Sequence, residues 1–341
     1  MKNIYILKNT LKFAFFLGLG IFIAWWFVKD LDAESREQIL MSFRNANYGI
    51  VGISVIIGII SFWFRTKRWQ MQIESLNYFP KTKNVFMAVI SGYFANLAFP
   101  RLGDIVRSGL LDTHAKIPTA KTLGTTITER VLDLTCFGIL LILALVLEFS
   151  LLSNYAMENF TELYEKFTNP EFIRKLVTMA IIGVLAFAFF IFFLRKKIAH
   201  TRAYQKVKEL ILQLWEGLIS LKNIKKPWLF VIYTFAIWFC YFSMAYIVFF
   251  AIKETSNLPP SAGLACLVFG TVGMIVTPGG LGLYPVVIAA TLNLYGITET
   301  IGFALGWLIW TSQNIVIVLG GLASIILLPI VNQKSKIKNQ K

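Results

Sequence analysis

Long apolar stretches separated by short polar ones run along nearly the whole chain. A helix that crosses a bilayer needs about 20 mostly apolar residues. Six stretches approach that length: roughly 10–28, 48–64, 122–148, 176–194, 227–251 and 300–331. Two more are interrupted. Residues 85–112 contain Asn96, Pro100, Gly103 and Asp104, and residues 261–295 contain Thr277-Pro278-Gly279-Gly280-Leu281-Gly282. The arms on either side of each interruption are too short to span alone. Each stretch therefore reads as two short helices that fold back at a break.

The first interrupted stretch is either one broken crossing or a hairpin returning to its own side, and loop charge discriminates. With both stretches as hairpins, one side holds the N-terminus, 65–84, 113–121, 195–226 and the C-terminal tail, carrying 23 Lys and Arg; the opposite loops carry seven. Positive charge accumulates on the cytoplasmic side, so the hairpin arrangement is preferred, with both termini cytoplasmic. The order span, hairpin, span then occurs twice, over about 48–148 and 227–331, in opposite directions. This is an inverted repeat, and paired broken helices in corresponding positions point to a midmembrane site. The alternative is that proline and glycine only kink packed helices. The expected fold is an all-α polytopic membrane protein, a single integral domain over 1–341.

Residues 201–222 place Val207, Leu210, Ile211, Leu214, Leu218 and Leu221 on one helical face, which suits a helix on the cytoplasmic membrane surface or a packed elbow. Gly302-x3-Gly306 permits close helix approach. Lys2, Lys8 and Lys12 before the first apolar run imitate a signal peptide, but no small-residue cleavage site follows. Trp25-Trp26 reads as an interfacial anchor, so a retained helix is expected.

Composition agrees with the pattern. Apolar residues make up 57% of the chain and charged ones 15%, well below the roughly 25% of a soluble domain. The net charge of +15 fits cytoplasmic loops facing anionic lipid and gives no reason to invoke nucleic acid. Cys136, Cys240 and Cys266 lie in apolar runs and His114 and His200 stand apart from them, so neither a disulfide framework nor a metal site is expected.

Ionisable residues at membrane depth need a partner or a purpose. Arg101, Asp104 and Arg107 surround the first break, and Glu129, Arg130 and Asp133 interrupt the following span. These three positive and three negative residues can neutralise one another. The second hairpin and last span add Thr277, Tyr284, Gln313 and Asn314. One reading is an ion-pair network that ties the hairpin to its neighbour. The other is a hydrated cavity in which helix N-termini opened by Gly103, and by Gly279, Gly280 and Gly282, offer N–H groups to an anion. Arginines suit a phosphate and carboxylates an amine or proton, which together fit a phospholipid headgroup.

Asn96-x3-Pro100-x2-Gly103-Asp104-x2-Arg107, then Glu129-Arg130, then Pro278-Gly279-Gly280-Leu281-Gly282 resembles the flippase-like family of lysylphosphatidylglycerol synthase transmembrane regions, over roughly residues 10–331. The resemblance implies an inner-membrane protein that moves or handles lipids. Members with synthase activity carry a soluble aminoacyl-transferase domain after this region; only a basic tail follows Ile330 here, so that activity is expected to be absent. Family members often have an acidic residue where this chain has Pro285.

The leading expectation is a lipid translocase, not an enzyme and without a cofactor. Its site would consist of Asn96, Arg101, Gly103, Asp104, Arg107, Glu129, Arg130, Asp133, Thr277, Gly279, Gly280, Gly282, Tyr284, Gln313 and Asn314. Its partners would be a membrane phospholipid or lipid-linked phosphate, with anionic lipid at the cytoplasmic surface. No Gly-x4-Gly-Lys-Ser/Thr loop is present, so ATP is not the expected energy source. The alternatives are a non-catalytic membrane partner in an envelope glycolipid pathway, and an intramembrane lipid-phosphate transferase using Glu129 or Asp104 as base.

Overall fold

A computed structural model of the chain describes residues 21–29, 31–98, 101–149 and 220–338, with single positions between them. The expected span 176–194 and nearly all of the surface helix 201–222 lie outside the described residues, as does the first half of 10–28. The described part is helical, without a strand: α1 (Ala33–Asn45), α2 (Tyr48–Glu74), α3 (Thr82–Ala98), α4 (Leu102–Ala115), α5 (Thr119–Leu147), α6 (Pro227–Ile247), α7 (Pro260–Val276), α8 (Leu283–Asn293) and α9 (Glu299–Lys338). Among the described residues four segments are long and apolar enough to cross a membrane: Tyr48–Glu74, Thr119–Leu147, Pro227–Ala251 and Glu299–Ser324. The protein is an all-α polytopic membrane protein.

Local chemistry explains where helices start. Asp32 caps α1 by accepting from the Ser35 N–H at 2.8 Å, and Asn47 caps α2 by accepting from Gly49. Pro227 and Pro260 occupy first-turn positions of α6 and α7, where no N–H is required. One boundary departs from expectation. α2 does not stop at 64 but continues to Glu74. In its last turns, which read as a loop, Arg65, Arg68 and Gln72 are buried, and they continue the inward face begun by Ser54, Gly58 and Ser61 at three- and four-residue spacing. Near its start, Ser54 Oγ lies 3.0 Å from the Met244 carbonyl of α6 and 3.1 Å from Ser312 Oγ of α9.

Both interrupted stretches fold back. In the first, α3 and α4 pack on one another so closely that a Cβ on Gly103 would lie 1.9 Å from the Gly92 carbonyl oxygen. No other residue fits there. Arg101 turns the chain with φ 68°, and the Gly103 N–H donates to Asn96 Oδ1 at 2.8 Å. Asn96 thus caps α4 from the opposite arm, and the Gly103 amide expected to face an anion is already bonded. In the second stretch, α7 and α8 are joined by a 3-10 turn (Pro278–Gly280) in which Gly279 and Gly280 have positive φ, as does Gly282 just before α8, from 63° to 74°. Gly302 and Gly306 of α9 approach the backbone of Ala289 and Pro285 on α8, so that small-residue pattern is used inside the chain.

The order long helix, two short helices, long helix occurs twice, and the two units make matching contacts. α2 packs along α6, α3 folds on α4 as α7 does on α8, and α3 lies on α9 as α7 lies on α5. Buried apolar side chains gather between α2, α3 and α4 (Trp69, Ile73, Val85, Val89, Leu111) and between the 3-10 turn after α6 (Val248–Ala251), α8 and α9 (Phe249, Ile288, Leu292, Leu305, Ile309).

The hairpin contact is testable by thermal unfolding in detergent. Gly103→Ala should cost about 3 kcal/mol, the upper end for overpacking, whereas Gly138→Ala, with nothing within 4 Å of its Cβ, should be neutral or stabilising. Asn96→Ala should cost about 1 kcal/mol for the lost cap, and Asn96→Asp should restore most of it. Equal behaviour of Asn96→Ala and Asn96→Asp would remove Asn96 from the capping role.

Candidate functional site

Helix α2 brings Arg65 and Arg68 against α5, where Glu129 and Asp133 share a face one turn apart. Arg65 Nη1 lies 3.2 Å from Glu129 Oε1 and 3.1 Å from Asp133 Oδ2. Arg68 Nη2 lies 2.9 Å from Glu129 Oε1 and 2.8 Å from Asp133 Oδ1. From α4, Arg107 Nη2 reaches Glu129 Oε2 at 2.7 Å. A fully buried carboxylate is thereby ringed by three buried guanidinium groups from two other helices. Aromatic rings complete the surroundings. Arg65 stacks near Tyr93 and Tyr241 and donates through Nε to the Tyr241 hydroxyl, and Arg107 lies 4.5 Å from the centre of the Trp69 ring. Trp69 in turn donates to Thr125 Oγ1 of α5 at 3.0 Å.

The outer part of the cluster is open. Arg130 Nη2 contacts Asp104 Oδ1 at 2.9 Å, closer than the 3.6 Å between Arg107 and Asp104, so the pair expected within one helix is secondary to a pair between helices. The Arg130 side chain is 46% exposed, Asp104 19% and Asp133 15%. Arg101 stands exposed at the hairpin turn. Around this opening Ile105, Ile127, Val131 and Leu134 are exposed as well, a surface suited to lipid.

The charge balance expected from six residues is corrected by the structure. With Arg65 and Arg68 included, four arginines (Arg65, Arg68, Arg107, Arg130) meet three carboxylates (Asp104, Glu129, Asp133), and Arg101 adds a further positive charge beside them. The two α2 arginines read as loop residues because the apolar run ends at Phe64. The recurring small and polar positions from Ser54 to Gln72 were the signal that they belong to a buried helical face.

The polar residues of the second hairpin form a separate group. Thr277 is buried and bonds back to the Gly273 carbonyl, and the Gly280 N–H donates to the Thr277 carbonyl at 3.0 Å. The Gly279 carbonyl accepts from Trp310 Nε1 at 2.7 Å. Tyr284 packs against Gly270 and lies beside Gln313. Asn314 donates to the Trp310 carbonyl, leaving its Oδ1 unpaired and buried. These glycines therefore face side chains: a Cβ on Gly280 would lie 2.6 Å from Met274 Sδ, and one on Gly279 would lie 2.6 Å from Leu97 Cδ2. The expected row of free amides opposite the arginines is not formed by Gly280, and the two hairpin tips touch through Leu97 and Gly279. Gly282 is buried at φ 74° at the start of α8.

Among the described residues no group of three or more His, Cys, Asp or Glu side chains is arranged to hold a metal ion, and the three cysteines are free.

Comparison with known proteins agrees with this architecture. Residues 10–321 match the family model described as lysylphosphatidylglycerol synthase TM region. A curated relative, the UPF0104 membrane protein MJ1595 of Methanocaldococcus jannaschii, is 28% identical over 144 residues, a match spanning 40% of either chain. No solved structure shows significant similarity. With a helical bundle, two helix hairpins and a match over nearly its whole length, the chain belongs to the family of lysylphosphatidylglycerol synthase transmembrane regions.

Proposed function

We infer that the protein is a lipid translocase that carries a phosphate-bearing headgroup past the opening between α4 and α5. The observation that carries this reading is the surplus positive charge at membrane depth with one arginine, Arg130, half exposed among lipid-suited side chains. An unneutralised cation there is costly unless an anion joins it. Arg130 and Arg101 contact the phosphate, with Asp104 orienting Arg130. The carboxylates Asp104 and Asp133 are the groups at the opening that can meet an amine or carry a proton. The buried part, Arg65, Arg68, Arg107 and Glu129, holds the helices together and keeps the surplus in place. In this reading the protein forms and breaks no covalent bond, and it sits in the cytoplasmic membrane with the basic end of the bundle, where α2 stops and α3 starts, inside.

Reconstitution in vesicles with labelled phospholipids tests the two parts separately. Arg130→Ala should insert and fold at near wild-type yield, yet move lipid at least about tenfold more slowly, the size of a lost charge-assisted hydrogen bond. Glu129→Ala should instead lose folded protein, since breaking a buried pair costs about 3–5 kcal/mol. Wild-type transport by Arg130→Ala would overturn the translocation reading, and a covalently altered lipid product would favour a transferase.

Sidedness is checked independently by cysteine labelling in a background lacking Cys136, Cys240 and Cys266. Single cysteines at 253–257 should react from outside intact cells, while those at 78–84 should react only after permeabilisation. Labelling of 78–84 from outside would reverse the orientation.

A further inference from the structure

At the end of the bundle where α2 stops and α3 starts, two cavities lie on either side of Phe79, away from the charged cluster. One, of about 230 Å³, is lined by Lys81, Lys83, Asn84 and His114. It sits at the N-terminus of α3, where the Asn84 N–H donates to the Lys81 carbonyl while the Thr82 and Lys83 N–H groups have no carbonyl within the helix to bond and add a partial positive charge. Asn84 is 94% buried and its Oδ1 has no partner. The other cavity, of about 260 Å³, is lined by Lys67, Lys225 and Lys226 beside Gln70, Glu74 and Tyr233. Lys225 Nζ lies 5.9 Å from the centre of the Phe79 ring.

We propose that these paired cavities seat the headgroup of an acidic phospholipid that is held at the membrane surface and is distinct from any lipid at the α4–α5 opening. Lys83 beside the α3 N-terminus in one cavity, and Lys225 and Lys226 in the other, suit an anion. The unpaired Asn84 oxygen accepts a hydrogen bond, which calls for a headgroup bearing a hydroxyl or a protonated phosphate oxygen. The neighbouring aromatics favour a lipid over a free anion. Phe79 is 70% exposed, and Trp228 and Trp63 are exposed at the same end, with Lys67 Nζ 5.0 Å from the Trp63 ring centre. Exposed aromatic rings beside lysines mark the level of the lipid headgroups, so an acyl chain can leave the seat along Phe79. Basic pockets between membrane helices are suited to such headgroups.

The test is a titration of the purified full chain in neutral detergent micelles, followed by thermal unfolding and native mass spectrometry. The three probes are phosphatidic acid, phosphatidylcholine and inorganic phosphate. It is run in wild type and in Arg130→Ala, so that binding at the α4–α5 opening does not contribute. Phosphatidic acid should bind and raise the unfolding temperature in both proteins; phosphatidylcholine and phosphate at equal concentration should not. Lys83→Gln and Lys225→Gln should each weaken phosphatidic acid binding about fivefold, while Lys253→Gln, at the other end, should leave it unchanged. Unchanged affinity in the Lys83→Gln/Lys225→Gln double variant would overturn the seat. Equal binding of phosphatidylcholine would overturn its preference for acidic lipid. A shift by inorganic phosphate that is lost in the same double variant would overturn the lipid assignment in favour of a free anion. Loss of phosphatidic acid binding in Arg130→Ala alone would assign it to the α4–α5 opening.

Discussion

Glu129 is a carboxylate inside a membrane helix bundle, with Arg65, Arg68 and Arg107 within 3.2 Å of its oxygens. Ions in such surroundings lose most of their hydration, and only close, well-directed partners compensate. The packing of α2, α4 and α5 is therefore not interchangeable with other packings of similar apolar helices. A rotation of α2 by one residue would carry Arg65 and Arg68 into hydrocarbon and leave Glu129 with a single partner. Apolar contacts alone discriminate poorly between helix orientations in lipid, because lipid tails solvate them equally well. The ionic contacts supply that discrimination, and the first hairpin is fixed by it through Arg107.

The two repeat units share an order of elements but not a chemistry. In the first, charge organises the contacts between hairpin and spans. In the second the same positions are filled by small residues and ring systems: Gly270 under Tyr284, Gly306 against Pro285, Trp310 bonded to the turn. Small residues give close backbone approach and broad van der Waals contact without any ion to desolvate. The second unit is thus packed by close backbone approach where the first is packed by ion pairs.

The sequence revealed the helical class, both broken stretches and most of the charged cluster, because hydropathy and intramembrane charge are strong signals. It concealed Arg65 and Arg68. An apolar run that ends at Phe64 looks like the end of a span, yet a helix with buried partners continues past the point where its composition turns polar. Sequence also pointed Gly103, Gly279 and Gly280 toward a ligand. In the structure Gly103 is glycine because Gly92 passes beneath it, and Gly280 because its φ and Met274 leave no room for a side chain. Residue type at a break reports that backbone comes close to something; it does not say whether that is a substrate or another helix. Asn96 shows the same limit: its amide meets the hairpin's own backbone.

The meeting of the hairpin tips bears on how such a protein could move. Leu97 at the end of α3 rests on Gly279, whose carbonyl is held by Trp310. Two reversals of the chain, one from each half, meet at this contact, and the halves are joined again along α2 with α6 and along α3 with α9. A displacement of the first hairpin is therefore passed on to the turn that Trp310 holds instead of being absorbed at a loose joint. The two breaks are coupled in series, so a shift at one loads the other.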